Sequence, residues 1–474
     1  MTILQVKNPR SGNTDSSITV MTADEVTASA NDLRDAQIAW CADLDLRLRA
    51  LEQWACALLD AREAMADALT QDTGRRAVSF LEVDGMAARI RYWIAQTPRL
   101  LAPSGERASG NAANVGYHLH RVPYPLVGVI SPWNFPLTLS LIDAIPALCA
   151  GCAVMLKPSE VTPRFAAVLR QTIAKVPELS TVFAVVDGDG GTGAALVDNV
   201  DMVCFTGSVA TGRKVAVQAA QNFIPVCLEL GGKDPAIVLA DADLDCAADA
   251  ILRSAAGSTG QACMSLERIY AHRSIMDALI EKLCQRASAL QFNTPDIRHG
   301  HLPPYIFDRQ AGKVAQQLED ALEKGARLHC GGPPEQHDGG FWQRPTVLSQ
   351  ISDEMLLMQE ETFGPLLPII PFDDDDEAIR LANSSDFGLS GSIFGQEQHA
   401  LQLAPRLEVG AVGINDASMT ALIHDVEKQS FKYSGMGPSR MGDTGLLRFL
   451  RTRAIMLQRD KPVGMAVFDE SLMP

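Results

Sequence analysis

The 474-residue sequence predicts an α/β protein built on two doubly wound, mostly parallel sheets, and three observations carry that reading. Between residues 127 and 219, short apolar runs of buried-strand length alternate with helical stretches. A second alternating set runs from about residue 236 to 412. The length itself exceeds what one ordinary core fills and points to two or three domains.

Taken in order, residues 23–70 read as largely helical. Leu44, Leu48, Leu51, Ala55 and Leu58 recur at three- and four-residue steps among charged residues, with Trp54 beside the stripe. Residues 76–100 predict a further helix ending near Pro98, where the missing N–H interrupts the ladder. A Gly/Ser/Asn-rich stretch over 103–116 leads into alternation over 115–122, which suggests a hairpin outside the main fold. Strands are then expected at 127–130, 153–156, 182–186 and 202–205, with helices at 137–148, 164–173 and 212–219. In the second set, helices are expected near 242–254, 275–290 and 309–325; after Lys432 the chain is Gly-rich and then apolar.

Composition narrows the function. Apolar residues make up 47% and charged residues 21%, the balance of a soluble globular protein. A net charge of −16 argues against a nucleic-acid footprint, which needs a basic patch. No apolar run reaches the roughly 18 residues of a membrane span, and the N-terminus lacks a signal pattern, so a cytoplasmic protein without membrane partners is expected. The ten cysteines are scattered, which suits a reducing compartment. Cys149 and Cys152 form a lone CxxC without a second pair, and the histidines lack ligand spacing, so no metal is expected.

Several segments carry chemistry. Gly188-Asp189-Gly190-Gly191-Thr192-Gly193 matches a dinucleotide-binding GxGxxG after a strand, although Arg213 stands where a ribose-binding acid is expected. A plain Gly-rich turn is the alternative. Phe205-Thr206-Gly207-Ser208 also joins a strand to a helix, where small residues and a helix N-terminus favour a phosphate. Lys157-Pro158-Ser159-Glu160 follows another strand end, though a solvated lysine is common there. Cys263, Glu229 and Asn134 together offer a thiol, a carboxylate and a side-chain amide. Those groups can attack a carbonyl, activate water and hold an oxyanion; taken singly, each also reads as ordinary core, surface or turn chemistry.

In order and spacing these segments resemble the aldehyde dehydrogenase superfamily over most of the chain. The resemblance rests on Pro132-Trp133-Asn134-Phe135-Pro136, Leu156-Lys157-Pro158-Ser159-Glu160, Phe205-Thr206-Gly207-Ser208 and Glu229-Leu230-Gly231-Gly232-Lys233, then Gly260-Gln261-Ala262-Cys263 and Glu361-Thr362-Phe363-Gly364-Pro365. It implies NAD-dependent oxidation of an aldehyde to the acid through a thiohemiacetal and a thioester. Cys263 would be the nucleophile, Asn134 the oxyanion donor with the Cys263 N–H, and Glu229 the base that activates water. Cofactor contacts would come from Trp133, Lys157, Ser159, Glu160, Gly188, Phe205, Ser208, Leu230, Glu361 and Phe363. Glu160 would bind ribose hydroxyls and repel a 2′-phosphate, which favours NAD, with NADP admitted.

The same resemblance implies an NAD-binding domain over 1–104 and 124–231 and a catalytic domain over 232–444. A small β oligomerisation element over 105–123 and 445–474 would give a homodimer or homotetramer. Its C-terminal strand is expected at about 455–458.

The chain departs from the family in two places. Glu427-Lys428-Gln429-Ser430 stands where most members carry Pro-Phe-Gly-Gly, ahead of Lys432-Tyr433-Ser434-Gly435-Met436-Gly437. This leaves open the conformation of the 416–431 loop. Lys428 replaces an aromatic at the substrate entrance, which raises an anionic substrate; a solvated lysine is the plainer expectation. Ala255-Ala256-Gly257-Ser258 is small, which suggests room for a bulky or aromatic aldehyde against Phe135, Leu139, Ile142 and Met264. Two alternatives stay in view: release of the thioester to coenzyme A, which the presence of Glu229 disfavours, and a non-catalytic protein on the same fold.

Overall fold

The computed structural model describes residues 2–112 and 114–472; of the expected oligomerisation element, Ala113, Met473 and Pro474 lie outside the described residues. Four helices, Ala23–Ala42, Leu44–Asp60, Arg62–Thr73 and Arg76–Leu101, open the first unit. Thr22 and Glu25 close a reciprocal capping box at the first of them. The fourth runs through Pro98 rather than ending there. In the last turn the proline forfeits only one hydrogen bond, and Trp93 and Leu100 stay buried on either side of it. A hairpin of Ile3–Lys7 with Thr14–Thr19 precedes these helices and was not expected from the sequence.

A six-stranded sheet follows. Leu126–Ile130 and Met202–Thr206 are parallel neighbours at its centre. Ala153–Lys157 and Phe183–Val185 extend it on one side and Val226–Glu229 on the other, all parallel, and Gly435–Met436 adds a short antiparallel edge beyond Val226–Glu229. The chain therefore leaves Leu126–Ile130 in one direction and returns to its other side, a topological switch between the two central strands. Their near-continuous burial is what a parallel sheet covered by helices requires.

The second unit holds a seven-stranded sheet in which Asp234–Val238, Leu266–His272, Thr346–Ser349, Leu366–Phe372, Gly391–Phe394 and Val412–Ile414 run parallel. Arg327–Cys330 adds an antiparallel edge. Helices Leu244–Ala256, Met276–Ala289 and Asp308–Glu323 fall within a few residues of their expected ranges. The fold is thus α/β with two mostly parallel sheets, as the alternating pattern predicts.

Outside both sheets, Val115–Pro123 pairs over nine residues with Leu450–Gln458, and Arg107–Ala108 adds a short third strand. The expected hairpin strand and C-terminal strand are thus partners, and the latter starts earlier than residue 455. No helix among the described residues is long and apolar enough to cross a membrane.

Candidate active site

In open parallel sheets, ligands sit beyond the carboxyl ends of strands at the topological switch. Here the two central strands end in Pro132-Trp133-Asn134 and Gly207-Ser208, and both segments line one cavity of about 150 Å³. Glu229, Leu230 and Gly231 enter it from the end of Val226–Glu229; Cys263, Gln310, Lys313, Glu361 and Phe363 enter from the second unit. Of the expected residues, the cavity gathers Cys263, Asn134, Glu229, Trp133, Leu139, Ser208, Leu230, Glu361 and Phe363.

Cys263 follows a tight turn in which Ser258 and Thr259 adopt φ values of 57° and 59°, a left-handed conformation that non-glycine residues hold only under constraint. The constraint is a buried guanidinium. Arg75 donates to the carbonyl of Asn134 at 2.7 Å and to that of Ser258 at 3.0 Å, so one side chain fixes both the amide and the nucleophile turn. Asn134 donates through Nδ2 to the Gln261 carbonyl at 3.0 Å, which uses one of its two N–H groups. Gly232 permits the close approach of the two loops: a Cβ there would stand 2.3 Å from the Cys263 carbonyl oxygen.

Burial pushes the Cys263 thiol up to about 12, against the pull of the Lys428 ammonium, so the thiol is protonated at neutral pH in this form. Burial also acts on Glu229, but Lys428 and Arg440 outweigh it and hold the carboxyl below its ordinary value. Glu229 Oε2 accepts from Lys428 Nζ at 3.3 Å and from Ser430 Oγ at 3.1 Å. Lys428 is therefore not the solvated surface residue expected: its side chain is only 10% exposed.

Glu361 and Phe363 sit on a loop stapled from three sides. Buried Glu267 accepts from the Thr362 and Phe363 N–H groups, each at 2.7 Å, and from Lys233 Nζ at 2.7 Å. Lys313 donates to the Glu361 carbonyl at 2.8 Å and Gln310 to that of Thr362 at 2.6 Å. The Glu361 carboxylate accepts from Gly232 N–H at 3.2 Å; burial and Glu267 raise its pKa to about 8. A carboxyl so weakly matched, lining a cavity beside the Trp133 and Phe363 rings, suits a ligand that offers hydroxyl groups.

The donor set fits a nicotinamide dinucleotide. Exposed Ser208 caps the helix Val209–Gln221, whose N-terminus favours a phosphate. Lys157 and Glu160 pair at 3.4 Å beyond a neighbouring strand end, outside the cavity proper. Ser159 closes the turn between them by accepting from Val161 N–H at 3.3 Å. The GxGxxG segment forms another strand-to-helix turn, where Asp189 caps the helix Gly190–Asp198 and a Cβ at Gly188 would stand 1.9 Å from Thr192 Oγ1.

Other expected residues also lie elsewhere. Phe205 packs beneath Gly207, and the Arg75 guanidinium stands 5.4 Å over the Phe135 ring. Ile142 is not a cavity residue, and Met264 contacts Thr420 instead. Ala255 and Ala256 are buried in the second unit's core, so their small size reports packing rather than a roomy pocket.

Arg75, Glu267, Gln310 and Lys313 were not legible as site residues, since each acts through a partner far away in sequence. Among the described residues no cluster of three metal-ligating side chains occurs.

The aldehyde dehydrogenase family model matches residues 1–455. A Mycobacterium ulcerans protein provisionally named succinate-semialdehyde dehydrogenase [NADP(+)] 2 is 33% identical, covering 96% of this chain and 90% of its own. A solved structure provisionally named aldehyde dehydrogenase PutA, from Anabaena variabilis, is 46% identical with a TM-score of 0.95, over 98% of this chain and 99% of that one. Betaine aldehyde dehydrogenase of Staphylococcus aureus, solved in complex with NAD+, is 27% identical with a TM-score of 0.90, over 97% and 93% of the two chains. Matched along nearly its whole length by the family model and by these relatives, the chain belongs to the aldehyde dehydrogenase family.

Proposed function

We propose that Cys263 is the nucleophile, Asn134 the oxyanion donor and Glu229 the water-activating base in oxidation of an aldehyde to its carboxylic acid. The observation that carries this reading is the single cavity that all three line together with Glu361 and Ser208. Cys263 Sγ adds to the aldehyde carbon as its proton passes out to solvent, so that Glu229 is ionised when the thioester forms. The oxyanion is met by the free N–H of Asn134 and the Cys263 backbone N–H; each such donor is worth about 3–4 kcal/mol in related acyl chemistry. When bound, a nicotinamide dinucleotide supplies the hydride acceptor. Glu229 then takes a proton from the water that cleaves the Cys263 thioester.

Lys157, Ser159 and Glu160 would hold the adenosine ribose, Ser208 the pyrophosphate, and Glu361 the second ribose, with Trp133, Leu230 and Phe363 forming walls. Glu160 supports NAD; NADP remains admitted, since one relative carries NADP(+) in its name and another was solved with NAD+. We assign residues 1–104 and 124–231 to the cofactor domain and 232–444 to the catalytic domain. The segments 105–123 and 445–474 would be an oligomerisation element in a cytoplasmic homodimer or homotetramer.

The test is the pre-steady-state time course of NADH formation. Cys263→Ala is expected to abolish turnover and retain NAD binding. Glu229→Gln is expected to retain the first burst of NADH and lose steady-state turnover. Turnover in the alanine variant, or equal loss of burst and turnover in the glutamine variant, overturns the assignment.

A further inference from the structure

We infer that Lys428 is the positioning residue that keeps Glu229 ionised and aimed at the thioester-hydrolysis half of the reaction; the inference rests on Glu229 being the base. Three atoms close a triangle: Lys428 Nζ lies 3.3 Å from Glu229 Oε2 and 3.2 Å from Ser430 Oγ, which itself lies 3.1 Å from Glu229 Oε2. The lysine is held at its other end as well, since its N–H donates to Ser439 Oγ at 3.1 Å. Its side chain and that of Glu229 are only 10% and 14% exposed, so little solvent screens the pair.

Arg440 also favours the Glu229 charge, but from a longer range and without a contact, since its guanidinium is committed to other partners. Arg440 donates to Asp143 at 2.7 Å and to Thr206 Oγ1 at 2.7 Å, and Arg448 pairs with the same Asp143. Cys263, on the opposite wall, is a neutral thiol. Among the described residues Lys428 is thus the one cation within salt-bridge distance of the base.

The same geometry argues against Lys428 as a receptor for an anionic substrate. A substrate carboxylate placed on its ammonium would face Glu229, and two carboxylates sharing one site disfavour each other's charge. Lys428 also lines a second cavity, of about 200 Å³, with Met419, Ile423 and Val426, so its stem forms the wall between that apolar space and the base.

Removing the ammonium leaves a buried carboxyl without its contact cation. Its pKa then rises, and it is protonated up to a higher pH. The measurement is the pH dependence of steady-state NADH formation, alongside the NADH burst, with NAD and the fastest member of a benzaldehyde, propionaldehyde and succinic semialdehyde panel. In Lys428→Met the acid limb is expected to move up by about one to three pH units, the span of a close opposite charge. In Lys428→Arg it is expected to return toward the wild-type position.

An acid limb in its wild-type place in Lys428→Met overturns the inference. So does an equal displacement in Lys428→Arg, which marks a loop defect rather than a charge effect. Lys428→Gln is the second uncharged variant should the methionine protein fail to fold. Absence of any NADH burst in the wild type overturns the Cys263 and Glu229 reading itself, a separate outcome.

Discussion

Glu267→Gln tests how the Glu361 loop is held. Glu267 Oε2 accepts from Lys233 Nζ and the Thr362 N–H, while Oε1 accepts from the Phe363 N–H, all at 2.7 Å. Glutamine offers one oxygen and one NH2 group. In its better orientation the oxygen keeps Lys233 and Thr362, and the NH2 group confronts the Phe363 N–H. That donor is left unpaired, at about 1–3 kcal/mol, beside a lysine that has lost its counter-charge. Breaking a buried pair from one side costs about 3–5 kcal/mol, and Lys233 and Glu267 are only 1% and 2% exposed.

The cost is not only global. Phe363 holds φ at +53°, a conformation worth about 1–2 kcal/mol of strain, and the bond to Glu267 is part of what fixes it. The variant is expected to lose about 3–5 kcal/mol in urea unfolding and to bind NAD at least about tenfold more weakly in a fluorescence titration. The double variant Lys233→Met/Glu267→Leu is expected to regain only the part lost by stranding the Lys233 charge, because the Thr362 and Phe363 N–H groups still lack their acceptor, and not to regain NAD affinity. Wild-type unfolding together with wild-type NAD affinity in Glu267→Gln refutes the argument.

Two further outcomes follow from geometry already given. Alkylation of Cys263 by iodoacetamide in the NAD-free protein, read by mass spectrometry of its peptide, is expected to rise about tenfold per pH unit from about pH 7 to 10, because burial pushes the thiol up to about 12 and the thiolate fraction grows tenfold per pH unit below that value; a plateau below pH 9 contradicts it. Gly232→Ala places a Cβ 2.3 Å from the Cys263 carbonyl oxygen, a backbone atom that cannot rotate away. The rate is expected to fall at least about a hundredfold, as for a displacement of about 1 Å at a reacting group, with an unchanged circular dichroism spectrum; a wild-type rate removes the close-approach argument.

The parts of this molecule that are local in sequence were readable from it. Buried parallel strands such as Ala153–Lys157 are short apolar runs, and amphipathic helices such as Leu44–Asp60 repeat at their own period, so both announce themselves. The convergence of Cys263, Asn134 and Glu229 was suggested by segment order and is met in a common cavity. What escaped is what depends on distant partners. Arg75 reads as an ordinary arginine between two helices until the fold brings the Asn134 and Ser258 carbonyls to it. Lys428 reads as solvated because its counter-ion lies 199 residues away. The GxGxxG segment shows the limit of spacing alone, since a strand-to-helix turn capped by Asp189 satisfies the pattern by itself.

The Asp143 cluster bears on the order in which the molecule can mature as it is made. Asp143 is buried in the helix Pro136–Ala150, yet its two counter-ions, Arg440 and Arg448, are translated 297 and 305 residues later. Gly435 closes the sheet edge at Glu229, and Leu450–Gln458 covers Val115–Pro123, equally late. Domains ordinarily fold as units from the N-terminus during synthesis. Here the first half of the chain leaves the ribosome with a carboxylate it cannot neutralise, a sheet edge at Glu229 it cannot close and a strand, Val115–Pro123, without its main partner. Its burial of that charge waits for the last part of the chain, so the first half is a dependent of the second in time as well as in space.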